Sequence, residues 1–201
     1  MAPVLGFALS ALALISSVLS APLEERQTAC ADVMVIYARG TTQQSPIGDP
    51  ASVGALFRDD IKSLLGSRTL SFQGVDYPAD VAGFLAGGDA QGSRTMASDL
   101  TRVATNCPNA KIVSSGYSQG AQLVHNSAKT LSSTVTSRIS AVVTFGDPYQ
   151  KQAVGSIPSS KVKVICHTGD SICEGGIIPT AQHTTYQQDA PAAAQFVLSK
   201  V

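Results

Sequence analysis

The sequence predicts an α/β fold, a three-layer α/β/α sandwich in which a central, mostly parallel five-stranded sheet lies between two layers of helices. Short apolar segments alternate along the chain with segments of helical periodicity, as in parallel sheets whose strands are joined by helices. Several of these segments are apolar throughout, which is typical of strands that are buried on both faces. The catalytic or binding residues of such a fold are expected in loops beyond the carboxyl ends of the strands.

The individual elements follow from the apolar pattern. Strands are predicted over residues 33–37, 70–75, 111–114, 139–145 and 162–166. Helices are predicted over residues 51–65, 95–105, 119–131 and 192–201. The helix 51–65 carries its apolar residues on one face, and the helix 95–105 is stopped by the Asn-Cys-Pro sequence that follows it. The Ala- and Gly-rich segment 77–91 is predicted to be a loop.

The N-terminal segment is predicted to be a targeting sequence outside the fold. Residues 1–20 are almost wholly apolar or small and end in small residues, as in a secretory signal peptide. A membrane anchor is the alternative, but the stretch is short and no basic stop-transfer run follows it. The sequence therefore predicts secretion, a propeptide over residues 21–26, and one mature domain over residues 27–201.

The composition argues against several classes of partner. The chain has 14 basic and 14 acidic residues and no basic block, so a nucleic-acid partner is not expected. Only 5% of the residues are aromatic and there is no Trp, which argues against stacking platforms for bases or sugars. A monomer without a membrane anchor is the default expectation.

The four cysteines predict two disulfides, because paired cysteines are usual in a secreted chain. Three connectivities are possible. The spacing of Cys166 and Cys173 suits a local link, and Cys30 and Cys107 precede strands that would start at the same edge of the sheet. A metal site is the alternative, but the chain has no Cys-x-x-Cys and no nearby pair of histidines.

The segment Gly116-Tyr-Ser-Gln-Gly120 places one serine between two glycines. The Gly-x-Ser-x-Gly pattern alone is weak, because it also arises by chance in ordinary loops. Here a strand is predicted directly before the segment and a helix directly after it, which is the setting of a nucleophile on a strained turn. Ser118 at the start of a helix would also benefit from the helix dipole. We therefore predict that Ser118 is a nucleophile.

A serine nucleophile needs a base, and the chain has three histidines. His125 follows Ser118 by seven residues on the same helix, about 10 Å along the axis, so it cannot reach the hydroxyl. It is interpreted as a helix-surface or core histidine. His167 ends a strand, and His183 lies in a later loop.

The acid that orients the base is predicted from chain order. Asp147 and Asp170 both follow strands beyond Ser118. The order serine, acid, histidine favours Asp170 with His183, because His167 precedes Asp170. Asp147 is the alternative, although its Gly-Asp-Pro setting is typical of an ordinary turn.

Two backbone N–H groups are predicted to form the oxyanion hole. One belongs to Gln119, directly after the serine, and the other to Thr41 in the loop after the first strand, whose hydroxyl is a further donor. The alternative is that Gly40 and Thr41 only turn the chain.

Six short motifs follow one another along the chain, namely Cys30-Ala-Asp, Ala38-Arg-Gly-Thr-Thr42, Cys107-Pro, Gly116-Tyr-Ser-Gln-Gly120, Cys166-x-x-Gly-Asp-x-x-Cys173 and His183-x-x-Tyr186. Together they span nearly all of the mature chain, which resembles the fungal cutinase family of the cutinase and acetylxylan esterase superfamily. The resemblance implies a small, secreted, lidless α/β-hydrolase that acts as a serine esterase and needs no metal or organic cofactor.

The resemblance also implies roles for individual residues. It matches Ser118 to the nucleophile, Asp170 to the acid, His183 to the base, and Thr41 and Gln119 to the oxyanion hole. It matches the cysteines to the disulfides Cys30–Cys107 and Cys166–Cys173.

Several positions depart from the usual cutinase pattern. Thr41 stands where cutinases usually have Ser, His167 where they commonly have Asn, and Thr184 where a bulkier apolar residue is common. Gly146-Asp-Pro148 resembles the acetylxylan esterase branch. Three hypotheses follow: an esterase of cutin-type polyesters and short-chain acyl esters, an acetylxylan esterase, or a non-catalytic secreted surface-binding protein. The third is disfavoured because every member of the triad is present.

An apolar rim is predicted beside the nucleophile. Its residues are Val81, Phe84, Leu85, Ile177 and Ile178. Ordinary packing is the alternative interpretation of these side chains. As a rim they would dock an insoluble polyester or an acylated polysaccharide.

Overall fold

The computed structural model describes Met1 and residues 29–201. Apart from Met1, the predicted signal peptide and propeptide lie outside the described residues. The strands are β1 (Val33–Ala38), β2 (Leu70–Gly74), β3 (Lys111–Tyr117), β4 (Ile139–Phe145) and β5 (Val162–Ile165). The α-helices are α1 (Val53–Leu64), α2 (Val81–Leu85), α3 (Ala90–Asn106), α4 (Gln119–Ala128), α5 (Ser133–Arg138) and α6 (Ala190–Leu198). Short 3₁₀ helices cover Ser159–Lys161, Ala181–Thr184 and Tyr186–Asp189.

The five strands form one sheet in the order β2-β1-β3-β4-β5, and every pairing in it is parallel. The registers align Ala38 with Gly116, Tyr117 with Phe145, and Phe145 with Ile165. The carboxyl ends of the strands therefore meet at one edge of the sheet, which is where a parallel α/β sheet presents its functional loops.

The helices cover both faces of the sheet and give three layers. The even-numbered residues of β1 pack into a cluster with α3 and α4, and its odd-numbered residues pack into a second cluster with α1 and α6. All six side chains of β1 are buried. This explains why the strand is apolar throughout, and the predicted α/β sandwich with a parallel sheet is confirmed.

Two parts of the predicted secondary structure are wrong. The segment 77–91 is not a loop throughout, because it contains the whole of α2 and the start of α3. Asp80 and Asp89 cap these helices by accepting hydrogen bonds from the backbone N–H groups of Gly83 and Gly92. The short helix α5 was not predicted from the sequence either. Both errors arise because these segments show little apolar periodicity. The helices α2 and α5 are short, and α3 begins with small and polar residues.

The two disulfides join the pairs that the resemblance implies. Cys30–Cys107 links the chain before β1 to the chain before β3, and Cys166–Cys173 closes the loop after β5. Within the described part of the chain, no helix has both the length and the apolar character needed to cross a membrane.

Candidate active site

Ser118 lies on the sharp turn between β3 and α4. Its backbone has φ 56° and ψ −120°, a positive φ that is rare outside glycine and is found at strained functional turns. The flanking glycines are required, because a Cβ at Gly120 would collide with the carbonyl oxygen of Ala38 and one at Gly116 with the carbonyl oxygen of Gly120. The turn places the serine hydroxyl beyond the edge of the sheet, at the N-terminus of α4.

Ser118, His183 and Asp170 form one chain of hydrogen bonds. Nε2 of His183 lies 2.9 Å from Oγ of Ser118, and Nδ1 of His183 lies 2.8 Å from Oδ2 of Asp170. All three residues are at most 6% exposed. When Nδ1–H donates to the carboxylate, the lone pair of Nε2 faces the serine hydroxyl. The imidazole is therefore oriented to accept the serine proton.

Asp170 is held as a carboxylate by three donors. Its Oδ1 accepts the backbone N–H of Ile172, and its Oδ2 accepts both His183 and the hydroxyl of Tyr186, the latter at 2.5 Å. Burial opposes ionisation, but the hydrogen bonds from Tyr186 and His183 outweigh it, so the pKa of Asp170 lies below its usual value. Burial and the neighbouring carboxylate raise the pKa of Tyr186, so its hydroxyl stays a donor.

The ring of His183 is fixed by its surroundings. Tyr117 stacks on it with ring centroids 5.1 Å apart, and the Tyr117 hydroxyl donates to the carbonyl oxygen of His183 at 2.7 Å. On another side, the backbone of Gly146 lies so close that an added Cβ would be 2.7 Å from the ring. A glycine is therefore needed after β4, next to the imidazole of His183.

The two predicted oxyanion residues are joined through their side chains. Nε2 of Gln119 donates to Oγ1 of Thr41 at 3.0 Å and to the carbonyl oxygen of Asp80 at 2.7 Å. Because Oγ1 of Thr41 accepts this bond, the proton of the same hydroxyl remains available to donate to another acceptor. The next residue, Thr42, has φ 62° and donates its N–H to the carbonyl oxygen of Ala79 at 2.7 Å. The loop that carries Thr41 is thus held in one conformation.

A cavity of about 350 Å³ adjoins the serine and the imidazole. It is largely lined by apolar groups, and its lining residues are Thr41, Thr42, Val81, Phe84, Tyr117, Ser118, Ile172, Ile177, Pro179, His183 and Thr184. Three of the five predicted rim residues, Val81, Phe84 and Ile177, line this cavity. Leu85 and Ile178 do not, but both are exposed, at 58% and 75%.

The remaining two histidines form separate pairs with other carboxylates. Nε2 of His125 lies 2.9 Å from Oδ2 of Asp147, and both side chains are fully buried. His125 is therefore a core histidine. Asp147 does form a turn, through the N–H of Tyr149, but it also has this buried partner. His167 pairs with Asp189 at 2.7 Å.

The sequence did not reveal the contact of Tyr186 with Asp170, the pairing of His125 with Asp147, or the pairing of His167 with Asp189. Tyr186 has a signal in the sequence, since it stands three residues after His183 in the last motif. The pairs of His125 and His167 have none, because their members are 22 residues apart in both cases. Among the described residues, no group of three or more His, Cys, Asp or Glu side chains could hold a metal ion.

The parallel sheet and the hydrogen-bonded serine, histidine and aspartate at its carboxyl edge define a serine hydrolase with the α/β-hydrolase fold. Residues 29–201 match the family model described as Cutinase. The chain belongs to the cutinase family and is a carboxylic ester hydrolase.

Relatives and solved structures agree with this assignment. The chain is 50% identical to a cutinase of Botryotinia fuckeliana, covering 94% of this chain and 93% of the relative, and 47% identical to one of Monilinia fructicola, covering 94% and 93%. The structure of a Trichoderma reesei cutinase with a phosphonate inhibitor superimposes with a TM-score of 0.81 at 46% identity, covering 85% of this chain and 76% of that one. An acetylxylan esterase superimposes with a TM-score of 0.67 at 26% identity, covering 86% and 99%.

Proposed function

We propose that this chain is a secreted, monomeric esterase that hydrolyses cutin-type polyesters and short-chain acyl esters through an acyl-enzyme on Ser118. The observation that supports this most directly is the 2.9 Å contact between Oγ of Ser118 and Nε2 of His183 at the wall of an apolar cavity. A nucleophile, its base and a site for an acyl chain thus lie side by side.

Acylation begins when His183 takes the proton of Ser118 and Oγ attacks the ester carbonyl carbon. The resulting imidazolium is stabilised by Asp170, which stays ionised. The tetrahedral intermediate collapses as the carbon–oxygen bond to the alcohol breaks, and His183 returns the proton to the departing alcohol. The acyl group remains as an ester of Ser118.

Deacylation repeats these steps with water. His183 takes a proton from water, hydroxide attacks the acyl carbon, and Ser118 leaves and recovers the proton. In both halves of the cycle the negative oxygen faces the N–H groups of Thr41 and Gln119 and the hydroxyl of Thr41, which are donors held in place before the reaction.

The cavity supports a substrate with a short or flexible acyl chain. Its apolar wall accepts methylene groups, and the exposed side chains of Val81, Leu85, Ile177 and Ile178 around it form an apolar rim. We propose that this rim lies against the surface of an insoluble polyester. That the chain is 50% identical to a relative named cutinase supports the same substrate class.

Labelling with a serine-directed phosphonate, followed by peptide mapping, tests the nucleophile. We expect one modified residue, Ser118, and no labelling of a Ser118→Ala variant. Labelling at another serine would contradict the assignment.

A panel of substrates tests the specificity. We expect release of hydroxy acids from cutin and turnover of p-nitrophenyl butyrate. The alternative substrate is acetylxylan, which the Gly146-Asp-Pro148 sequence favours. Faster release of acetate from acetylxylan than of product from both other substrates would replace cutin with acetylxylan as the substrate.

A further inference from the structure

His167 links the end of β5 to the segment that carries the base. Its Nδ1 lies 3.0 Å from the carbonyl oxygen of Gln182, the residue before His183, and its Nε2 lies 2.7 Å from Oδ2 of Asp189. The imidazole therefore contacts this segment on both sides of His183. The side chains of His167 and Asp189 are 18% and 26% exposed, so the contact is largely shielded from water.

The partners of the two ring nitrogens indicate its protonation state. A carbonyl oxygen can only accept a hydrogen bond, and so can an ionised carboxylate. Both contacts of His167 are therefore satisfied only when both nitrogens carry protons. In a neutral ring with its proton on Nε2, the lone pair of Nδ1 would face the carbonyl oxygen of Gln182.

Thr185 offers the neutral ring its one alternative partner at this nitrogen. Its Oγ1 lies 3.2 Å from Nδ1 of His167 and 3.0 Å from the carbonyl oxygen of Gln182. The hydroxyl proton can bond only one of them at a time. If Nδ1 were deprotonated, the Gln182 carbonyl would lose the hydrogen bond from His167. It would also lose the one from Thr185 if that hydroxyl turned to donate to Nδ1.

His167 also reaches the acid of the triad through Tyr186. The two rings are stacked with centroids 4.1 Å apart and 18° between their planes, an arrangement that favours a cationic imidazole. The backbone N–H of His167 donates to the Tyr186 hydroxyl at 3.0 Å, and that hydroxyl donates to Asp170. The titratable groups that face the ring are thus Asp189 at its edge and Tyr186 on its face, with Asp170 and His183 behind Tyr186.

We propose that His167 is held as an imidazolium and acts as a positioning residue for His183, by fixing the segment from Gln182 to Asp189 with two donated hydrogen bonds. The inference rests on the proposed triad, because it concerns where the base lies. In this role, His167 would influence the rate of the reaction without contacting the substrate.

Imidazole NMR tests the protonation state without reference to activity. We expect the ¹⁵N signals of His167, assigned by their loss in His167→Asn, to report two protonated nitrogens at pH 6. An unprotonated Nδ1 throughout pH 5–8 would overturn the proposal. Labelling of Ser118 by a phosphonate would then still establish the nucleophile, so the two failures are distinguishable.

Kinetics test the positioning role. We expect kcat on p-nitrophenyl butyrate at pH 6 to fall about tenfold in His167→Ala, the size expected for one charge-assisted hydrogen bond, with KM nearly unchanged. His167→Asn should recover most of the loss, because the amide can donate to Gln182.

Two Asp→Asn variants, one at the partner of His167 and one at an unrelated surface position, give a matched comparison. Asp189→Asn exchanges the charged acceptor of the His167 Nε2–H for a neutral amide, so kcat should fall in the same direction as in His167→Ala. The same change at Asp59, an exposed residue on α1 paired with Arg58, should leave kcat unchanged. Equal kcat in wild type, His167→Ala and Asp189→Asn at every pH would overturn the positioning role.

Discussion

The phenol oxygen of Tyr186 lies 2.5 Å from Oδ2 of Asp170, the same carboxylate oxygen that accepts Nδ1 of His183. One oxygen therefore accepts both the His183 imidazole and a buried tyrosine hydroxyl. The tyrosine lowers the pKa of the carboxyl against the opposing effect of burial. It also limits how far the carboxylate can rotate away from the imidazole.

Replacing Tyr186 by Phe should lower kcat about tenfold, because one hydrogen bond to the charged acid is lost. Because the folded-state pKa of Asp170 lies below 3.8, its stabilising effect is present above that pH and is lost as the pH falls through the folded-state pKa. The variant raises this pKa, so its loss of unfolding free energy should be larger at pH 6 than at pH 2.5. Urea unfolding at both values measures this.

Tyr37→Phe is the matched control. The Tyr37 hydroxyl is buried and has no hydrogen-bond partner, so its removal should not destabilise the fold and should leave kcat unchanged. A loss of stability in Tyr186→Phe that is the same at both pH values would contradict the link to Asp170.

Two buried aspartates, each paired with a histidine, should respond differently to the same substitution. Asp170→Asn should lower kcat about 10⁴-fold, as expected when the base loses the acid that fixes its tautomer. Asp147→Asn changes an equally buried residue whose partner, His125, does not contact Ser118. It should keep kcat within about tenfold while lowering the unfolding free energy by about 1–3 kcal/mol. If the two variants had similar kcat values, Asp170 would not be the acid.

The hydroxyl of Thr41 can be tested by a pair of substitutions. Thr41→Val keeps the shape but removes the donor, and should lower kcat about 10²- to 10³-fold with little change in KM. Thr41→Ser keeps the donor and its bond from Gln119, so it should retain most of the activity. Full activity in Thr41→Val would leave the backbone N–H groups as the only donors. Initial rates across a range of p-nitrophenyl butyrate concentrations separate kcat from KM.

Much of the fold was predictable because a strand that is buried on both faces is apolar at every position. The segment 33–37 is apolar at every position, and the structure buries all of it within β1. The proximity of Ser118, Asp170 and His183 was predictable because each follows or lies beyond a strand whose carboxyl end meets the same edge, and because one chain order fits the three residues.

The other contacts could not be predicted, because they depend on how loops fold back on one another. Nothing in the sequence links His167 to Asp189, and only the packing of the 3₁₀ helix Tyr186–Asp189 against the end of β5 brings them together. The helix α2 was missed because five residues with a central glycine carry no periodic signal. Its cap, Asp80, was the one available indication.

The two disulfides should differ in what they stabilise. Cys30–Cys107 spans 77 residues, and its removal by two Cys→Ser changes should lower the unfolding free energy by about 4–5 kcal/mol in the chain-entropy model, with kcat of the folded protein unchanged. Cys166–Cys173 spans 7 residues, so its removal should cost about 2–3 kcal/mol. It should nevertheless lower kcat, because its loop carries Asp170. Urea unfolding and steady-state kinetics test both expectations. A larger loss of stability on removing Cys166–Cys173, together with a loss of kcat on removing Cys30–Cys107, would contradict them.

The apolar rim should matter only for insoluble substrates. Leu85 and Ile178 are exposed and do not line the cavity, so Leu85→Ser with Ile178→Ser should leave turnover of soluble p-nitrophenyl butyrate unchanged. Contact with a polyester surface would bury each side chain, and about 1.5–3 kcal/mol of adsorption free energy per side chain would be lost. We expect at least a tenfold decrease in the affinity for polyester particles, measured by depletion of enzyme from solution.

Leu64 provides the control for this prediction. It is 47% exposed and ends α1, which runs from the loops after β1 back toward the start of β2. It therefore lies toward the opposite edge of the sheet, where a polymer bound at Ser118 would not reach it. Leu64→Ser should leave adsorption and polyester hydrolysis unchanged. Equal losses of adsorption in Leu64→Ser and in the rim variant would mean that binding depends on total surface hydrophobicity and not on the edge that carries Ser118.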